Sequence, residues 1–415
     1  MREQRAARYG IFCPSQRQIF NTRSVMSASA MDHVYRVAIL GCRGRGTAAA
    51  RAYHQHPRCQ VVGLCDLMPE RLDQLGDELG VLARYADFDK MIEQERPDIV
   101  AIPTGTEFHY PLAMSVLEHA VHIDVEKPLC HGLEEADQVI DKASTKGVRI
   151  AVHHQGRTGG AMRAIKMAID AGRIGEPRFL LGSGKGYYAG YGLMNIGTHM
   201  VNNMIGLVGH VRSVSATAFT DGRQVTPEDV IPAAGGMGWI AGEHITANLS
   251  FDNNVTGVLL QHRLPKVDST AYCLQVYGTE GRLFWRSSGA WHLPVPHEVP
   301  ADEEGVWQRL DDIIPEHYDH TGAATEPDYS FANEYVRALD EQDEHECSGR
   351  EGRHVMEVLM AILEAGARRR QIDLPQVDRR HPLTLWREEA GLEEPAEMPR
   401  PYHEWLAAED RRLGR

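Results

Sequence analysis

Long apolar runs, paired cysteines and an excess of positive charge are all missing from this sequence. No apolar run approaches the roughly 20 residues that cross a bilayer, so the sequence predicts no membrane contact. The seven cysteines are scattered and never spaced as Cys-x-x-Cys, which argues against a disulfide framework or a zinc site and favours a reducing, cytoplasmic location. The formal net charge of −14 disfavours nucleic acid as a partner.

A run of histidines and carboxylates at 316–320 (EHYDH) invites a metal-binding interpretation. Its spacing matches no standard site, and acidic loop residues flank it. We interpret the run as a solvated polar surface, so no metal site is predicted.

The chain length of 415 residues exceeds the size at which a single hydrophobic core stops growing, so more than one domain is expected. Residues 1–33 are rich in arginine, serine and glutamine and are predicted to be a disordered extension. Residues 34–155 are predicted to form a nucleotide-binding domain, and residues 156–375 a substrate-binding and oligomerisation domain. Residues 376–415 are proline-rich and highly charged, which favours a C-terminal surface segment.

A strand, a glycine turn and a helix follow one another at the start of the first domain. The run YRVAIL (35–40) predicts a buried parallel strand, GCRGRG (41–46) a tight turn, and residues 47–56 a helix. Gly41, Gly44 and Gly46 would let a pyrophosphate approach the amides at the helix N-terminus, and Arg43 and Arg45 could add charge-assisted contacts. The alternative is that the glycines serve only the chain reversal.

Asp66 lies at the end of the next predicted strand, 20 residues beyond Gly46. A carboxylate there accepts hydrogen bonds from the hydroxyls of an adenosine ribose and repels the 2′-phosphate of NADP. The sequence therefore predicts NAD as the cofactor, with NADP less favoured, although Arg71 weakens that preference.

Strands and helices continue to alternate up to residue 125, which predicts a parallel sheet. Gly41, Asp66, Thr104 and the pair Glu126-Lys127 each follow a predicted strand. Because ligands of such sheets bind at the carboxyl ends of the strands, we expect these residues to share one crevice.

Residues 34–152 resemble the dinucleotide domain of the glucose-fructose oxidoreductase, inositol dehydrogenase and MocA-like (Gfo/Idh/MocA) family. The resemblance rests on the glycine turn, Asp66, the run RPDIVAIPTGTEFH (96–109) and the EKP signature at 126–128, and it extends to about residue 375 through RIGE (173–176) and YGTEG (277–281). It implies a Rossmann domain followed by an α/β domain with a large, mainly antiparallel open sheet, an α/β plus α+β architecture. It also implies cofactor contacts from His109 and Glu126, a sugar or cyclitol substrate, and a homo-oligomer, either a dimer or a tetramer.

In this family the lysine of EKP contacts the nicotinamide ribose and the reacting hydroxyl, which assigns substrate binding and proton transfer to Lys127. Burial would lower the pKa of its amine towards a useful range, whereas Glu126 would oppose that change. The alternative is a structural ion pair between Lys127 and an acid.

The family's second signature, an acid followed four residues later by histidine, corresponds to Asn195 and His199. Asn195 replaces the usual aspartate, and Asn202 replaces a second one. An asparagine cannot take a proton, so Lys127 or His199 must carry the proton alone. His199 could also be a packed structural residue.

Polar and aromatic side chains are dense between the two predicted domains. We predict substrate contacts from Arg157, Tyr188, Tyr191, Asn195 and Asn202, which would suit the hydroxyls and faces of a pyranose ring. Packing roles for the tyrosines remain an equal alternative.

Three functions follow from these patterns. The first is an NAD-dependent oxidoreductase that transfers hydride at a secondary alcohol of a sugar, sugar derivative or cyclitol. The second is a redox-neutral glycoside hydrolase or lyase that oxidises a sugar hydroxyl transiently before it eliminates the aglycone. The third is a catalytically silent dinucleotide-binding regulator.

Overall fold

Short apolar runs in the first part of the chain form a six-stranded parallel sheet in the computed structural model, which describes residues 33–298 and 306–415. The strands are β1 (Tyr35–Leu40), β2 (Cys59–Cys65), β3 (Arg84–Tyr85), β4 (Ile99–Ile102), β5 (His122–Glu126) and β6 (Ile150–His153). The helices that connect them are α1 (Gly44–Gln55), α2 (Pro69–Leu79), α3 (Phe88–Glu95), α4 (Thr106–Val116) and α5 (Leu133–Lys146). Strands buried on both faces explain why these runs are apolar without alternation.

The strand order of this sheet is β3-β2-β1-β4-β5-β6. The chain therefore reverses direction across the sheet between β1 and β4, and the crevice at that point is where doubly wound sheets bind nucleotides. Gly41 follows β1 and Pro103 follows β4, so both lie at this crevice.

A second sheet of ten strands follows, in the order β17-β16-β15-β14-β7-β13-β12-β8-β18, with β9 paired to β8. All its pairs are antiparallel except β7 with β13. Its strands are β7 (Pro177–Ser183), β8 (Val211–Thr220), β9 (Arg223–Gln224), β12 (His244–Phe251), β13 (Thr256–His262), β14 (Cys273–Gly278), β15 (Arg282–Arg286), β16 (Gly289–Leu293), β17 (Gln308–Leu310) and β18 (Ile372–Asp373), and a separate ribbon pairs β10 (Ile231–Pro232) with β11 (Trp239–Ile240). The predicted fold class, a Rossmann sheet followed by a large, mainly antiparallel sheet, is confirmed.

Helices cover one face of the second sheet and link it to the first. They are α6 (Gln155–Thr158), α7 (Gly160–Asp170), α8 (Ala189–Gly192), α9 (Thr198–Val208), α10 (Glu326–Asp340) and α11 (Gly349–Arg368), and a π-helical turn, Leu193–Gly197, joins α8 to α9. Helix α10 packs against α1, and its Tyr335 donates a hydrogen bond to the carbonyl of Ile123 in β5. A segment from the predicted second domain thus completes the core around the first sheet.

The C-terminal segment contains α12 (Pro382–Glu389) and α13 (Tyr402–Arg412). Within this segment, which the sequence predicts to lie on the surface, the side chains of Trp405 and Glu409 in α13 are fully buried. Trp405 donates its indole N–H to the carbonyl of Pro232 at 2.7 Å, so an amphipathic helix packs inward in a stretch whose overall composition is polar.

The predicted extension at residues 1–33 lies outside the described residues except for His33. Within the described ranges, no helix combines the length and the apolar character that a bilayer crossing requires.

Candidate active site

The glycine turn after β1 is shaped for close approach of a ligand. Gly41 has a φ of 115°, and a Cβ on Gly46 would collide with the Gly41 carbonyl, so both positions require glycine. A Cβ on Gly44 would have no atom within 4 Å, and Arg43 caps α1 without any side-chain hydrogen bond. Open space therefore lies against uncapped amides at the start of α1, which fits a pyrophosphate.

Asp66 is held firmly at the end of β2. Its Oδ2 accepts the N–H of Cys42 at 2.7 Å and its Oδ1 accepts the N–H of Met68 at 2.9 Å. Each carboxylate oxygen keeps lone-pair capacity, so the orientation and chemistry fit a ribose diol.

These groups line a cavity of about 900 Å³ at the crevice. Its walls include Leu67, Met68, Phe88 and Phe108, and Leu67 is 85% exposed. Large apolar side chains left open to solvent beside Asp66 fit the planar base of an adenosine. Thr104, Arg43 and Arg45 line the same cavity.

Arg45 is engaged by two acids. Its Nε lies 3.0 Å from Oε2 of Glu126 and its Nη2 lies 2.7 Å from Oδ1 of Asp328. Arg45 also lines a second cavity of about 350 Å³. It therefore borders both the crevice cavity and this second cavity. The buried Oε1 of Glu126 has no hydrogen-bond partner among the described residues, and a ribose hydroxyl is the kind of donor that would satisfy it.

His109, which the sequence predicts as a cofactor contact, turns both of its ring nitrogens towards backbone carbonyls. Its side chain is fully buried, and its two ring nitrogens lie 2.8 Å from the carbonyl oxygen of Pro128 and 3.2 Å from that of Thr104. His109 therefore ties the end of β4 to the loop after Lys127, and it acts on the crevice only through that backbone.

Lys127 is aimed by Asn195. Its Nζ donates to the carbonyl oxygen and to Oδ1 of Asn195, both at 2.9 Å. Burial lowers the pKa of Lys127, Glu126 opposes this, and the charges of Arg45 and Lys185 lower it further. The alternative of an ion pair with Glu126 is not realised, because Glu126 is paired with Arg45.

The π-helical turn explains how one asparagine offers two acceptors to Lys127. Thr198 donates its N–H to the carbonyl of Leu193, one residue further along than in an α-helix. The widened turn presents the Asn195 carbonyl towards Lys127, and Asn195 Nδ2 donates to the hydroxyl of Tyr191 at 3.1 Å.

His199 lines the second cavity and lies edge-on to the ring of His154, with centroids 5.5 Å apart. No group in the described residues forms a hydrogen bond with its imidazole. Burial lowers the pKa of His199 well below its usual value, and the charge of Lys127 adds to this. A neutral, uncommitted imidazole is available to a ligand hydroxyl.

Three of the predicted substrate contacts have partners inside the protein. Arg157 pairs with Glu351 at 2.8 Å and contacts Asn202, which is fully buried. Tyr188 is also fully buried, and its hydroxyl donates to Glu409. The polar atoms of these side chains thus form hydrogen bonds and ion pairs inside the protein.

Tyr191 remains near the site, where its ring stacks on that of Tyr402 from α13 at 4.6 Å. Sequence reasoning missed Tyr402, and it also missed Asp328 and His153. His153 contacts Asp124 at 3.0 Å and Asp328 at 3.1 Å, and these carboxylates outweigh burial and raise the pKa of His153 to about 10. The only available signal was a charged residue at the end of an apolar strand, IAVH at 150–153.

The fold and the crevice define a dinucleotide-binding protein of the Rossmann type. Residues 35–154 match the model of the Gfo/Idh/MocA family, described as an oxidoreductase family with an NAD-binding Rossmann fold. The N-terminal part of the chain therefore matches the Gfo/Idh/MocA family, and the resemblance predicted from the sequence is confirmed for these residues.

Individual relatives cover only part of the chain. D-apiose dehydrogenase of Rhizobium rhizogenes is 24% identical over 205 residues, which cover 46% of this chain and 59% of the relative. The scyllo-inositol 2-dehydrogenase (NAD(+)) of Bacillus subtilis is 32% identical over 153 residues, which cover 37% of this chain and 45% of the relative. The matched region thus spans about half the length of these curated relatives.

Among solved structures, levoglucosan dehydrogenase in complex with NADH and levoglucosan aligns with a TM-score of 0.67 at 19% identity. The alignment covers 83% of this chain and 100% of that one. At this identity the likeness shows the shared fold.

Proposed function

We propose that this chain is an NAD-dependent dehydrogenase that oxidises a secondary alcohol of a sugar, sugar derivative or cyclitol to a ketone. The observation that carries the proposal is the placement of Lys127, held by two hydrogen bonds to Asn195 beside a neutral His199 that lines a polar cavity next to the nucleotide crevice. The sugar and inositol dehydrogenases among the relatives support the same class of substrate.

The residues of the crevice divide the binding of NAD among them. The amides at the start of α1 would hold the pyrophosphate, Asp66 the adenosine ribose, and Glu126 the nicotinamide ribose. When bound, NAD supplies the acceptor for the hydride that leaves the carbinol carbon. The negative charge of Asp66, fixed by two backbone N–H groups, disfavours the 2′-phosphate of NADP.

Lys127 is the group that takes the hydroxyl proton. Burial lowers the pKa of its amine, so the neutral amine is more accessible than in an exposed lysine and can accept the proton as the carbonyl forms. His199 is a poorer proton acceptor, because protonation would add a charge beside Lys127 and Arg45. We assign it the role of orienting the hydroxyl as a neutral hydrogen-bond partner.

The first test is the formation of NADH by purified protein with NAD and a panel of free sugars, inositols, sugar acids and aryl glycosides. Stoichiometric NADH from a free polyol, lost in Lys127→Ala while NAD still binds, is the expected result. NAD-dependent release of an aglycone without accumulation of NADH would replace this proposal with redox-neutral glycoside cleavage. Tight NAD binding with no turnover of any substrate would instead indicate a silent regulator.

The choice of cofactor is tested by Asp66→Ala. Loss of the acceptor for the ribose hydroxyls weakens the binding of NAD, and loss of the negative charge allows NADP to bind. The ratio of kcat/KM for NAD to kcat/KM for NADP should therefore fall by about tenfold or more. Asp87→Ala is a suitable control, since Asp87 lines the same cavity but its side chain caps α3. An unchanged ratio in Asp66→Ala would remove Asp66 from cofactor selection.

We also propose that the second sheet pairs with another copy of the chain. Its outward face carries half-buried apolar side chains in register, including Leu181 opposite Val258 and Phe179 opposite Tyr277. Light scattering on the full chain should give a dimer or tetramer, and Leu181→Asp should shift the mass towards the monomer. A monomeric wild-type protein would contradict this.

A further inference from the structure

Lys185 occupies one side of the second cavity, directly after β7. Its Nζ lies 5.4 Å from the centroid of the Tyr272 ring, and Tyr272 in turn packs edge-on against Trp285 at 5.4 Å. Lys185, Tyr272 and Trp285 all line the cavity together with His199. The ammonium is therefore fixed over an aromatic face inside the space that we assign to the substrate.

This ammonium has no counter-ion in the part of the chain that the structure describes. Among residues 33–298 and 306–415, no carboxylate lies within ion-pair distance of Lys185 and no group accepts a hydrogen bond from its Nζ. Burial lowers the pKa of Lys185, and no acid acts to restore it. An anionic group on a bound ligand would therefore stabilise the charged form of this half-buried amine.

The two acids of the cavity cannot serve Lys185, because they are already engaged. Asp328 accepts from Arg45, His153 and the hydroxyl of Thr325. Glu326 accepts the N–H of Gly160 at 3.0 Å and the hydroxyl of Ser330 at 2.6 Å. The acids of the cavity thus have their own partners, whereas the positive charge of Lys185 has none among the described residues.

Two further features describe what the cavity accepts besides a charge. The buried Oε1 of Gln155 lines it and has no hydrogen-bond partner in the described part of the chain, so a hydroxyl donor of a ligand would satisfy it. The rings of Tyr272 and Trp285 offer an apolar face, and a volume of about 350 Å³ suits a single sugar ring.

We propose that the substrate of this enzyme is an anionic polyol, a sugar or cyclitol that carries a carboxylate or a phosphate, and that Lys185 binds the anionic group. The proposal rests on the proposed function for the identity of the reacting alcohol. Lys185 acts as a specificity-determining residue, whereas Lys127 deprotonates the reacting hydroxyl.

The test compares ligands paired so that one member carries an anionic group and the other is neutral: D-glucuronate with D-glucose, D-gluconate with D-glucitol, and D-glucose 6-phosphate with D-glucose. Their affinities for the complex of the protein with NADH are measured by isothermal titration calorimetry, alongside kcat/KM for NADH formation. We expect the anionic member of a pair to bind about tenfold or more tightly in the wild type, and Lys185→Met to abolish that preference. Lys185→Arg should retain part of it.

Lys266→Met is the matched control. Lys266 lies exposed in the loop after β13, and its replacement by methionine removes the same charge from the chain. Equal affinity for charged and neutral members in the wild type, no binding of any anionic member, or an undiminished preference in Lys185→Met would each overturn the proposal. A preference limited to the phosphate or to the carboxylate identifies the group. Binding that depends on Lys185 without any NADH formation would overturn the dehydrogenase proposal and leave this one standing.

Discussion

The Nζ atom of Lys127 lies 2.9 Å from two oxygens of a single residue, the carbonyl oxygen and Oδ1 of Asn195. Both acceptors are neutral, so they orient the amine without stabilising its charged form as strongly as a carboxylate would. The replacement of the family's acid by asparagine thus leaves Lys127 positioned and helps to keep its pKa low.

Asn195→Ala should lower kcat by about tenfold, because one of the two hydrogen bonds that orient Lys127 is lost while the carbonyl acceptor stays. The KM for NAD should not change, since Asn195 lies outside the nucleotide cavity. Asn195→Asp should raise the pKa of Lys127 and move the acid limb of the kcat/KM profile to higher pH. Steady-state kinetics between pH 6 and about 10 check both variants.

Glu93→Ala, an exposed change on α3, is the control for these variants. A wild-type kcat in Asn195→Ala, or a pH profile that does not move in Asn195→Asp, would show that Asn195 does not position the proton acceptor.

Gly44 and Gly46 offer a matched pair that separates folding from cofactor binding. Gly46→Ala should lower the melting temperature even without NAD, because its Cβ would collide with the Gly41 carbonyl. Gly44→Ala should leave the melting temperature unchanged, since no atom lies within 4 Å of the new Cβ. It should weaken the binding of NAD by about tenfold, because the new methyl group fills the space of the pyrophosphate. Thermal unfolding without NAD and a titration with NAD give the two readouts; wild-type affinity in Gly44→Ala would argue against a pyrophosphate there.

The fold was predictable because the first sheet consists of apolar runs that end in glycine or charged residues. The strand Tyr35–Leu40 has the bounds that the sequence predicts. Gly41 after β1 and Asp66 after β2 line one cavity.

The buried partners of the site were not predictable from the local sequence. Asp328 reaches Arg45 across 283 residues of chain, and no local pattern encodes such a pair. The acidic partners of Arg157 and Tyr188 were unpredictable for the same reason, because Glu351 and Glu409 come from distant helices.

His153 should make stability depend on pH in the alkaline range. Its pKa of about 10 in the folded protein exceeds the value of about 6.5 in the unfolded chain, so its contribution is complete below pH 6.5 and is lost as the pH rises through 10. His153→Gln leaves Asp124 without its cation, whereas Asp328 keeps Arg45, and the change should cost roughly 3 to 5 kcal/mol near pH 6. Thermal unfolding between pH 6 and 10 should show the wild-type advantage shrinking with pH; a constant difference would mean that His153 is neutral in the folded protein.

Tyr402 connects the C-terminal helix to the proton acceptor. Its ring stacks on Tyr191 at 4.6 Å, the Tyr191 hydroxyl accepts from Asn195, and Asn195 holds Lys127. Tyr402→Ala removes the stack, so Tyr191 and then Asn195 gain freedom, and kcat should fall by about threefold to tenfold with little change in the KM for NAD.

The variant Tyr402→Phe keeps the ring and removes the hydroxyl, which accepts the N–H of Tyr188 at 2.8 Å in the wild type. Because the stack survives in Tyr402→Phe, its kcat should stay near that of the wild type, while the free energy of unfolding drops by about 1 kcal/mol for the lost hydrogen bond. Glu404→Ala, a change at an exposed position of α13, is the control for substitution in this helix. Equal losses of kcat in the alanine and phenylalanine variants would assign the effect to the anchoring of α13 and not to the ring that supports Tyr191.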